Sequence, residues 1–249
     1  MQRTVGFQLA RVTVAGLAFC GFASAGQTSG QDQTQAHCSV ESKNQYYRDF
    51  EASHEGDKRN YDEALKAAEN YLACPDDGDH PELLAKLNLA AGRILSSKNL
   101  SSDAIPYFIK ATSYNSPVKS SAETYAELAR AYEEGPYAKL SDEYRERFEG
   151  KDETQESLLA LENICLVIDR MIDAYARAVA LAGVELPKRA QGNGLRVCTD
   201  RDPAEWVDTL IGFYKIRHNN SEAGLKELIG TILAQPLPGW PIPPTSPPR

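Results

Sequence analysis

The chain contains almost no stretch in which polar and apolar residues alternate in the manner of a half-buried strand, and it has only two tryptophans and two methionines. A mostly-β architecture is thereby excluded. It also has no apolar run near the roughly 20 residues needed to cross a bilayer as a helix; the longest, Val12–Ala25, falls short of that. No integral membrane segment is expected after that run. Lys and Arg number 27 against 35 Asp and Glu, and no basic cluster offsets the net charge of −8. Neutralising phosphates requires concentrated cations, so nucleic acid and anionic membrane surfaces are poor partners. The usual signatures of chemistry are missing as well. There is no Cys-x-x-Cys, no Gly-x-Ser-x-Gly, no His-Glu-x-x-His and no phosphate-cradling glycine loop. The four histidines, His37, His54, His80 and His218, are scattered singly. Glu51-x2-His54 has the spacing of a di-iron ligand pair, but such a site needs a second copy and two further glutamates, so neither a metal nor a cofactor is expected.

What is present begins with an address. Arg3 and Arg11 precede the apolar run, which ends in Ala23-Ser24-Ala25, the small-residue pattern of a secretory signal peptide cleaved after residue 25. Phe19 stands immediately before Cys20, where an acylated lipoprotein would carry a small residue. Export to the periplasm or beyond is the expectation. Cleavage removes two arginines and no acid, which shifts the net charge from −8 to −10, and it leaves four cysteines. Four cysteines allow three pairings in an oxidising compartment. Helices over 41–54 and 60–74 would form a hairpin with Cys38 and Cys74 at one end, which favours that bridge and leaves Cys165 for Cys198.

After a polar leader, residues 26–40, helical periodicity dominates. Helices are expected over 41–54, 60–74, 81–97, 101–114, 118–134, 139–148, 155–182, 203–218 and 221–234. Punctuation supports them: His80-Pro81 and Asp202-Pro203 as starts, Ser101-Ser102-Asp103 and Ser221 as caps, Gly135-Pro136 and Gly183 as stops. The fold class is all-α. The last 14 residues, 236–249, hold seven of the 14 prolines and form a proline-rich tail in which helix is forbidden. Within it, Trp240 is either a recognition anchor or a residue that folds back on the last hairpin.

The spacing inside the hairpins carries more information. Tyr125-x2-Leu128-Ala129-x2-Tyr132 and, more weakly, Leu87-x2-Ala90-Ala91-x2-Ile94 follow the first helix of the tetratricopeptide pattern. Ala104-x3-Phe108 with Ala111 and Pro117, and Ala64-x3-Ala68 with Tyr71 and Pro75, follow the second. Trp206, Leu210 and Phe213, followed by Ala223 and Pro236, read as a degenerate last unit. Over residues 41–235 the chain therefore resembles a tetratricopeptide-repeat protein, with a likeness to exported bacterial repeat proteins such as acidobacterial ones. The anchor alanines Ala64, Ala104, Ala174 and Ala223 depart from the regular repeat period, so insertions interrupt the array, the largest being the charged stretch 140–156.

The resemblance implies stacked antiparallel hairpins with a concave recognition surface and a protein or peptide partner. Its groove positions fall on Asn88, on Glu123, Arg130 and Glu133, and on Tyr214 and Lys215. The expected function is a non-enzymatic exported scaffold with no catalytic residue. The alternative is an envelope enzyme acting on cell-wall glycan with Asp169 and Asp173 as paired carboxylates, since i and i+4 share a helix face.

Overall fold

The computed structural model describes residues 38–54, 59–74, 80–184, 186 and 203–240. The signal-type segment, the leader up to His37, Cys198 and the tail beyond Trp240 lie outside them. Helices α1 (Val40–His54), α2 (Tyr61–Leu72), α3 (Pro81–Ser97), α4 (Ser101–Ser113), α5 (Ala122–Tyr132), α6 (Ala138–Phe148), α7 (Gln155–Ala182), α8 (Pro203–Arg217) and α9 (Leu225–Thr231) follow one another, with no strand among the described residues. The all-α expectation holds.

Local chemistry explains most of the boundaries. Asn60 and Ser121 accept hydrogen bonds from the backbone N–H groups of Glu63 and Thr124 and so cap α2 and α5. Thr154 and Ser157 exchange side-chain and backbone bonds in a capping box that starts α7. Gly183 ends α7 with φ of 65°, a conformation in which a side chain would be strained.

Three expectations need correction. Ser101 does not cap α4: Leu100 stands at that position without a side-chain bond, and Ser101 is buried. Ser221 caps nothing either, because its hydroxyl accepts from Ala223 N in a tight turn and α9 starts only after Gly224. Gly135-Pro136 does not stop the chain's helical course. Residues Glu133–Tyr137 form a π turn that leads from α5 into α6. Proline lacks an N–H and its ring crowds the carbonyl four residues back, and the wider turn relieves both problems.

Small residues set the helix spacing. Ala64, Ala91, Ala104, Ala129 and Ala174 are fully buried, and a Cβ at Gly92 would lie 2.9 Å from the Phe108 ring. These contacts pair α1 with α2, α3 with α4 and α5 with α7. One apolar cluster, with Phe50, Tyr71, Leu87 and Ile94, joins α1–α3, and a larger one runs from the end of α3 to Trp240. Ala223, expected as an anchor, is exposed, and α9 and the short turn after it rest on α7. No helix among the described residues is long and apolar enough to cross a membrane.

Cys38 and Cys74 are joined, with Cα atoms 5.2 Å apart, so the bridge closes the open end of the α1–α2 pair. Cys165 is a free thiol in the structure, and its expected partner Cys198 is outside the described residues. Closing a loop of this size removes denatured-state entropy worth about 4 kcal/mol on the chain-entropy account. Reduction, or Cys74→Ser, is expected to lower the melting temperature by several degrees in thermal circular dichroism.

Candidate functional site

Helix α5 presents two different stripes. Tyr125, Leu128, Ala129 and Tyr132 are buried toward the core. Glu123, Glu127, Arg130 and Glu134 recur at the 3–4 residue spacing of one helical face, and the last three line a cleft. Arg130 is the centre of that cleft, because it lines two adjoining cavities. One, of about 140 Å³, lies toward α3 and α4 and is bounded by Arg93, Ser96, Phe108, Glu127 and Glu134. The other, of about 240 Å³, lies toward α7 and α8 and is bounded by Glu133, Glu134, Tyr175, Glu205, Trp206 and Thr209.

The acidic groups are fixed by specific partners. Arg93 donates through Nε to both oxygens of Glu127 at 2.9 Å and lies 3.8 Å from Glu123. Burial pushes the Glu127 carboxyl upward, and the Arg93 guanidinium opposes that shift. Tyr175, buried on α7, donates its hydroxyl to Glu133 Oε2 at 3.0 Å. Burial, with the Glu133 carboxylate beside it, holds the Tyr175 phenol far above its ordinary range, so it remains a donor at any physiological pH. Ser101 donates to Glu134 Oε2 at 3.2 Å, which sets that carboxylate at the amino end of α4, where helix polarity favours negative charge. Arg130 makes no ion pair among the described residues. Glu127, Glu133, Glu134 and Glu205 outnumber Arg93 and Arg130 along the two cavities, which gives the cleft an acidic rim around Arg130.

Of the groove residues expected from sequence, Arg130 and Glu133 line this cleft, and Glu123 stands 3.8 Å from Arg93 at its edge. The other three do not. Asn88 is buried and donates Nδ2 to Leu84 O at 2.8 Å, a bond within its own helix. Tyr214 is buried too, stacked on His218 at 3.9 Å with its hydroxyl donated to Ala223 O, and Lys215 pairs with Glu222 at 2.6 Å. Both brace the turn after α8. Tyr175, Glu205, Trp206 and Thr209 were not identifiable from sequence, since they reach the cleft from α7 and α8 only through the tertiary fold. Glu127 and Glu134 were identifiable in principle, each lying one helical turn from an expected groove residue, Glu123 and Arg130 respectively.

The carboxylate pair on α7 is separated by its partners. Asp169 is held by Arg217 of α8 through two bonds of 2.6 and 2.9 Å. Asp173 is held by Arg177 at 2.7 Å, and burial raises its carboxyl while that guanidinium opposes the shift. Comparison with known proteins finds no matching family model, no matching curated protein and no matching solved structure.

Two sets of substitutions test this geometry. A Cβ at Gly135 would fall 2.7 Å from Ser102 N and Oγ, so Gly135→Ala is expected to cost about 1–3 kcal/mol in urea denaturation. Gly212→Ala on α8, with nothing within 4 Å, is expected to be neutral or stabilising. Asp173→Asn strips a buried arginine of its countercharge and is expected to cost about 3 kcal/mol. Asp169→Asn, in a half-exposed pair, should cost under about 1 kcal/mol in the same assay.

Proposed function

We propose that the chain is a non-enzymatic, exported helical scaffold of tetratricopeptide type whose cleft around Arg130 binds a protein or peptide partner. The single observation that carries this reading is that Arg130 bridges two cavities, has no ion pair among the described residues and is ringed by carboxylates in fixed positions. An arginine so placed offers donors to the backbone carbonyls of an extended or helical segment. The rim acids Glu133, Glu134 and Glu205 then favour basic or polar side chains on that segment, and the aromatic faces of Tyr175 and Trp206 add apolar and cation–π contact.

Export is supported by the signal-type pattern of residues 1–25 together with the Cys38–Cys74 bridge, since disulfides persist in oxidising compartments. The wall-glycan enzyme reading has no comparable support, because each of its two carboxylates is engaged by its own arginine.

The test is crosslinking in the native envelope, followed by affinity capture and quantitative mass spectrometry of the wild-type chain and of an Arg130→Glu/Glu133→Lys chain. A partner enriched by the wild type is expected to fall about tenfold or more with the variant, because charge reversal across an interface costs over a kcal/mol. Equal capture by both chains, with unchanged melting profiles, overturns the cleft as the binding surface.

A further inference from the structure

On the other side of α5, the start of the proline-rich tail lies on a built surface. After Ala234 the chain leaves its last turn with Gln235 at φ −92° and ψ 149°, close to polyproline geometry, and residues 235–240 form no helix. Gln235, Pro236 and Gly239 are exposed, while Leu237, Pro238 and Trp240 are half-buried. The segment is therefore held from one side only. Its anchor is Arg177 of α7, whose residue is 3% exposed. The guanidinium donates Nε to Asp173 Oδ1 at 2.7 Å and Nη2 to the carbonyls of Gln235 and Pro236 at 3.1 and 3.2 Å. It also lies 5.9 Å from the Tyr125 ring centroid. A second anchor is Trp240, set edge-on against Tyr132 at 5.6 Å, with Leu237 packed on the same core.

This is the chemistry of peptide recognition rather than of core packing. Proline supplies no N–H, so a proline-rich strand is read through its carbonyls, and a donor-only guanidinium held by Asp173 suits that task. An aromatic-lined surface then selects the side chains, as in grooves that take preformed polyproline helices. Releasing the segment breaks no helix, yet it strips a buried arginine of two acceptors, so the vacated surface favours a replacement of like chemistry.

The geometry points to the α5–α7 face as a binding site for an extended, proline-rich, tryptophan-bearing peptide of a partner chain, filled in the free protein by the chain's own residues 235–240. The site is separate from the Arg130 cleft and does not rest on it. A tethered occupant competes at an effective concentration of order mM, which makes it a built-in competitor that the partner must displace.

The test titrates a labelled synthetic peptide with the sequence of residues 233–242 against the full chain, read by fluorescence anisotropy. The Trp240→Ala chain, whose own tail is loosened, is expected to bind the peptide about tenfold or more tighter than the wild type does. The same peptide carrying Trp240→Ala should bind about tenfold more weakly, since a buried aromatic anchor dominates such contacts. Arg177→Lys in the Trp240→Ala chain keeps the charge beside Asp173 but loses the Nη2 group that donates to both carbonyls while Nε holds Asp173, and should lose binding by a similar factor. No binding to the Trp240→Ala chain at about mM peptide, far above the range of specific recognition, would overturn the proposal. Equal binding of the peptide with and without its tryptophan would overturn it too, and that comparison decides the matter should the Arg177→Lys chain fail to fold.

Discussion

Helix-to-helix distance is the constraint on which the other features depend, and it is set where a side chain is small or missing. Ala64, Ala104, Ala129 and Ala174 have no exposed surface, and Gly92 faces the ring of Phe108 with no room for a methyl group. Burying an alanine contributes little apolar area by itself. Its value is that it lets neighbouring large residues such as Phe108, Leu128 and Met171 interlock across the interface, where each buried side chain is worth about 1.5–3 kcal/mol. The same close approach leaves grooves wherever the helix pairs diverge, and the Arg130 cleft is one of them.

Gly135 extends this logic from a helix pair to the cleft. Its missing side chain allows the π turn to touch the backbone of Ser102 at the amino end of α4. That contact holds Glu133 and Glu134 in place, one bonded by Tyr175 from α7 and the other by Ser101 from α4. An irregular turn thus ties three helices together and aims two carboxylates at the same cleft.

Most of the helices were legible in the sequence because their ends are marked by local chemistry. Pro81 and Pro203 at helix starts and Gly183 at a helix end act within one turn, so a linear reading finds them, whereas the capping bonds of Asn60, Ser121 and Thr154 emerge only in the structure. The Cys38–Cys74 bridge was legible for a related reason: two adjacent helices of known length place both cysteines at one end. Legibility failed where two rules competed. Gly-Pro reads as a stop, yet the apolar and polar stripes of α5 continue into α6, and a widened turn reconciles the two. It failed again where long-range contact decides. Asn88 and Tyr214 occupy positions that a regular repeat would open to solvent, but neighbouring packing buries both. Glu205 and Tyr175 are far from Arg130 in sequence and meet it only because α7 and α8 pack beside α5.

Arg177 is the clearest case of a residue whose meaning depends on the fold. In the sequence it is one charge in the run Asp173-Ala174-Tyr175-Ala176-Arg177-Ala178, and the i, i+4 pairing with Asp173 looks like the ordinary decoration of an exposed helix face. In the structure the pair is buried, and a buried ion pair seldom stabilises a protein more than apolar side chains of the same shape would. The Arg177 guanidinium reaches further: Nη2, which also lies 3.4 Å from Asp173 Oδ2, donates to the carbonyls of Gln235 and Pro236. Two surfaces of different chemistry thus adjoin α5: Arg130 among carboxylates, and the Arg177 guanidinium donating to two carbonyls beside the Tyr125 ring. Helix α7 serves both: Tyr175 donates to Glu133 at the Arg130 cleft, and Arg177, two residues on, donates to the carbonyls of Gln235 and Pro236.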